Sequence, residues 1–111
     1  MTKKSTKKST KKSTANGTHA LSPGQMVMIR TAVHGWSGRV VRTFKIEDVG
    51  FVELETAAWV ADTGRYHEAV AKGPAAAAGS EIEPTGDRNV LVQLSAIGDV
   101  VTIPVLPTEV R

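Results

Sequence analysis

The sequence predicts a small, mainly β domain with one short helix, preceded by a disordered basic tail. Three observations predict it. The apolar runs are short, rich in Val and Ile, and separated by Gly, Pro and Asp, as in strands joined by turns. Only the stretch around residues 62–73 combines helical spacing with a polar start and a Gly-Pro stop. Residues 2–14 contain no apolar side chain at all. The chain of 111 residues therefore divides into a tail, residues 1–20, and one domain, residues 21–111.

Leu21-Ser22-Pro23-Gly24 is a turn that opens the domain. Gln25–Thr31 has the composition and length of a first strand. Val33–Gly38 carries two glycines and reads as a loop. Arg39–Phe44 is a second strand, and the turn Glu47-Asp48-Val49-Gly50 leads to a third, Phe51–Glu55. There Glu53 and Glu55 alternate with Val52 and Leu54, so one face is wet and the other buried. Ala57–Ala61 leads into a helix with Asp62 or Thr63 as N-cap and Gly73-Pro74 as its stop. Tyr66, Ala69 and Val70 form its docking face. Pro74–Ser80 reads as a flexible connector. Asn89–Leu94 and Asp99–Ile103 are the last two strands. Five strands and one helix fit a small, partly open barrel.

The tail is three copies of one tetrapeptide, Thr2–Ser5, Thr6–Ser9 and Thr10–Ser13. Lys, Ser and Thr bury no surface to offset chain entropy, so the segment is expected to be disordered. Its lysines, Lys3, Lys4, Lys7, Lys8, Lys11 and Lys12, are candidates for non-specific contact with nucleic acid. Six neutralised phosphates correspond to a salt slope of about −5 on duplex DNA. A merely solubilising extension and a phosphorylated regulatory arm are the alternatives. The net charge of +3 conceals an asymmetry: without the six repeat lysines, 8 basic residues face 11 acidic ones, a balance of −3. Affinity for a polyanion therefore belongs to the tail.

Several chemistries are unsupported. There is no Cys, hence no disulfide or thiolate metal site. His19, His34 and His67 share no metal-ligand spacing. No serine sits in a nucleophile elbow, and Gly35-Trp36-Ser37-Gly38 lacks the Lys and the following helix of a phosphate loop. Alternating acids on a strand read as a solvated face. No enzyme activity and no cofactor are expected. No apolar run approaches the roughly 18 residues of a membrane helix, and the N-terminus has no hydrophobic stretch of a secretory signal. Export by a signal peptide is not expected.

Two resemblances bear on role. Pro23-Gly24, the strand after it and Gly35-x-x-Gly38-x-Val40 resemble the KOW-type, SH3-like barrel element of ribosomal and transcription elongation proteins. The resemblance implies an SH3-like, partly open barrel, with glycines for a tight positive-φ loop. Ile29–Thr31, Gly38–Val40, Val52–Leu54, the Ala-aromatic pair Ala58-Trp59 and the Gly73-Pro74 exit resemble a family of small proteins of tailed bacteriophages and prophages. That likeness covers most of residues 26–107, excluding the tail. It implies an accessory or virion-associated protein, located in the host cytoplasm or the virion, with the tail near nucleic acid and the barrel docked on a protein. The KOW likeness implies instead a cellular factor bound to RNA or ribonucleoprotein.

The candidate partner-binding residues are His34, Trp36, Arg39 and Arg42. An exposed Trp beside Arg stacks on bases or grips a protein; the competing role for Trp36 is a plug in one barrel end. Trp59, between Ala58 and Val60, reads as a core anchor. Arg30, Arg39 and Arg42 form a basic strip or, as the domain's acidity favours, pair with Glu47, Glu53 or Glu55. Open strand edges leave a homo-oligomer as an expectation.

Overall fold

The computed structural model describes residues 19–111. The tetrapeptide repeat and its six lysines lie outside them. The elements are β1 (Met26–Thr31), β2 (Gly35–Ile46), β3 (Val49–Asp62), α1 (Tyr66–Lys72), β4 (Glu81–Pro84), β5 (Val90–Gln93) and β6 (Ile97–Thr102). All strand pairs are antiparallel. The sheet runs β4-β3-β2-β1-β6, and β5 pairs with the first half of β3. A 3-10 turn, Leu94–Ala96, joins β5 to β6, which returns to β1. Leaving aside α1 and β4, this is the path of an SH3-like barrel, open between β5 and β6. The expected fold class holds.

Four differences from the sequence reading have physical causes. Gly35–Gly38 is strand, paired with β1 on one side and β3 on the other. Neither glycine has positive φ. Gly38 is instead required by close approach, because a Cβ there would sit 2.8 Å from Leu54 Cβ. Ala57–Ala61 is not a helix lead-in but the second half of β3. β4 is a sixth strand, too short and too acidic to stand out. The expected flexible connector contains a 3-10 turn, Pro74–Ala76, followed by fully buried Ala77.

Helix α1 starts later than expected. Its N-cap is Arg65, with no side-chain cap. Asp62 Oδ1 accepts from the Gly64 N–H (2.8 Å) and shapes the turn ahead of the helix instead. The stop is as expected: Gly73 has φ 98°, a conformation open to glycine, and its N–H closes the helix on Ala69 O. The docking face is fully buried Ala69 with Val70; Tyr66 is 41% exposed and lies under Arg30 instead, 4.8 Å from its guanidinium.

The core has an inside and an outside. Val27, Ile29, Val40, Val52, Leu54, Ala57 and Val92 fill the barrel. Met28, on the other face of β1, is covered by Ala69, Ala77, Ile103 and Leu106. Ala58 and Val60 pack outside the barrel against Ile82. One bulge decides which residues of β3 go where. Ser37 faces Ala58 and Arg39 faces Glu55, so Thr56 and Ala57 together oppose Gly38. Before the bulge, even-numbered Val52 and Leu54 point inward; after it, Ala57 does, and Trp59 follows Ala57's face.

Candidate binding site at the barrel mouth

Trp36 and Trp59 are directly opposed on β2 and β3. The tight turn after β1 brings His34 between them. Thr31 Oγ1 donates to His34 O (2.9 Å), and the Thr31 N–H bonds the same oxygen (2.8 Å). The imidazole meets Trp36 edge-to-face at 5.8 Å and Trp59 at 5.6 Å. Such contacts hold rings in fixed orientation and add to the area they bury.

The two indoles have different environments. Trp36 packs on the barrel core and is partly buried, with its remaining surface on the groove at the mouth. Trp59 is 37% exposed, which overturns its reading as a core anchor. The Thr56–Ala57 bulge is the cause: it sends Ala58 and Val60 to the covered outer face and Trp59 to the open mouth. Beside the rings lies an open groove of about 530 Å³ that also touches Glu83, Thr85 and Val110. A second groove of about 600 Å³ continues along β4, lined by Trp59, Glu81, Glu83 and Val110.

The four sequence-proposed partner residues do not form one patch. His34 and Trp36 are together at the mouth. Arg39 lies on the opposite face of β2, where its Nη2 contacts Met26 Sδ (3.8 Å) and its Nη1 is 3.5 Å from Glu55. Arg42 is further along, bonded to Glu53 Oε1 (2.7 Å) and stacked on Phe44 at 4.3 Å. The preferred reading of the arginines as strand-pair partners holds for both. Arg30 pairs too, but with Asp99 of β6 (2.6 Å), an acid the sequence did not single out.

These pairs set the protonation of the surface. Hydrogen bonding to Asp99, with its charge, raises Arg30 above its ordinary value; the Arg30 bond holds Asp99 low. Glu53 is held low chiefly by the Asn89 amide (2.8 Å) and then by Arg42. Glu68 is held low by the Ala78 N–H. Among the described residues no group of three His, Asp or Glu could hold a metal ion. No helix among them is long and apolar enough to cross a membrane.

Comparison with family models, curated proteins and solved structures finds no match to this chain. The chemistry of the mouth therefore rests on its own residues. Trp59 and the β4 acids belong to it although the sequence did not point there. The usable signal was Trp59 on a strand whose neighbours Ala58 and Val60 take the covered face.

Proposed function

We propose that this is a non-enzymatic binding protein whose barrel docks on a protein partner through His34, Trp36 and Trp59, while the lysine repeat contacts nucleic acid. The observation that carries the reading is the part-exposed Trp59 indole, held by His34 beside two continuous grooves. An oriented, part-exposed Trp offers a large rigid contact area at little entropic cost and is the residue type most enriched at interface hot spots. The resemblance to phage and prophage proteins supplies the setting: an accessory or virion-associated component. A cellular RNA factor calls for a basic barrel face. Here Arg30, Arg39 and Arg42 are each engaged by an acid, which favours protein as the partner of the barrel.

A photo-reactive residue placed at position 59 tests the reading in the cells that produce the protein. The expected product is a protein adduct that survives nuclease digestion and is not formed from exposed position 88. An adduct removed by nuclease, or equal adducts at both positions, would contradict it.

A further inference from the structure

The groove along β4 has a chemistry of its own. Glu81 and Glu83 are exposed and lie on one face of β4, with buried Ile82 between them. Neither has an ion-pair partner among the described residues, unlike Glu53, Glu55 and Asp99. Asp62 is opposite Glu81 in register but does not line the groove, and its Oδ1 is held by the Gly64 N–H. Arg111 also lines the groove, but its Nη2 is turned to Ala77 O (3.1 Å). Trp59 forms one wall and 76%-exposed Val110 another. Ser80 sits beneath the same groove, only 6% exposed, with its Oγ buried. Two unpaired acids and a part-exposed indole therefore meet in one open trough.

We infer that this trough takes an extended peptide segment of a partner protein with basic side chains at alternate positions. The inference rests on the docking reading above and names its ligand chemistry. Spacing carries it. Residues two apart on a strand are about 6.6 Å apart along it, and an extended peptide repeats its side chains on one face at the same interval. Two cations so spaced meet Glu81 and Glu83 together, with their methylene stems laid on Trp59 and Val110. The chain's own repeat has the wrong period for this. On either face of an extended strand its lysines recur every four residues, as Lys3, Lys7 and Lys11 or as Lys4, Lys8 and Lys12, about 13 Å apart.

Trp36 and Trp59 are the chain's two tryptophans, so indole fluorescence of the full-length protein reports on the trough directly. Three blocked peptides are titrated: one with Arg at alternate positions, one of the same composition with its Arg in adjacent pairs, and one with the sequence of residues 2–13. The alternating peptide is expected to bind tightest, in a saturable and salt-sensitive way. Glu81→Gln with Glu83→Gln should weaken it about tenfold, the worth of two exposed ion pairs and their contacts. Glu47→Gln with Asp48→Asn removes the same charge at the far hairpin and should leave affinity within about twofold. Equal binding of the paired-Arg peptide or of the 2–13 peptide overturns the inference. So does equal weakening by the hairpin variant, or a rise in affinity on deleting residues 2–14, which would make the repeat the occupant. If no peptide binds while position 59 still crosslinks a protein, the cationic ligand is wrong and the docking reading stands. If both fail, both fall.

Discussion

Trp36 and Trp59 are chemically identical, share one β-bridge and touch the same imidazole, yet their surroundings assign them different work. Trp36 rests on the barrel core, and truncating it leaves a cavity. Trp36→Ala is expected to cost about 2–4 kcal/mol. Trp59 is 37% exposed and loses mainly its contact with His34. Trp59→Ala is expected to cost about 1 kcal/mol. Thermal melts of the two variants check the order. A larger loss for Trp59 would return it to the core and remove the exposed indole from the site. Gly38 is also fixed at this scale: Leu54 leaves no room there for a Cβ, whatever the backbone conformation.

The element that decides the site is the β3 bulge. Thr56 has φ 50°, unusual for a β-branched residue, and its side chain is exposed. The strand therefore holds a strained residue at the point where its neighbour changes from β5 to β4 and its inward face changes from even to odd numbers. Glycine would relieve the left-handed strain, about 1–2 kcal/mol, against a backbone entropy cost of about 0.5–1 kcal/mol. Thr56→Gly is thus expected to raise the melting temperature by a few degrees. A lower value would show that the threonine side chain itself holds the bulge. The same bulge limited what could be read in the sequence. Up to Glu55 the alternation was plain, and β1, β2 from Arg39 onward and the start of β3 were legible, whereas Gly35–Gly38 read as a loop. So were the Gly73-Pro74 stop, the last two strands and the pairing of Arg39 and Arg42 with strand acids. Past Thr56 the parity flips with no glycine to mark it. Ala58-Trp59-Val60 then looked like a buried run, and the mouth lost half of its aromatic pair. β4 was hidden for a different reason. A four-residue strand with one buried apolar side chain has no periodic signal to detect.

Across the whole molecule, charge and apolar surface are divided between two regions. Six of the 14 basic residues lie in the first 12 positions, while the domain that follows carries all 11 acids. The domain's strand arginines are spent on neighbouring carboxylates, whereas the β4 acids and the mouth are left open. That division is what supports the proposal of two binding functions that do not share residues. Affinity for nucleic acid should depend on the repeat alone, and protein docking on the mouth alone. The most direct test is the salt dependence of duplex binding, measured by gel shift for the intact protein, for a variant lacking residues 2–14, and for Trp59→Ala. The intact protein and Trp59→Ala are expected to bind equally, each with a slope of about −5, and the truncated protein not to bind. Retained binding without the repeat would contradict the account. So would a Trp59→Ala protein that loses the affinity of a stacked base, about 1–3 kcal/mol, since the mouth would then be a nucleic-acid surface.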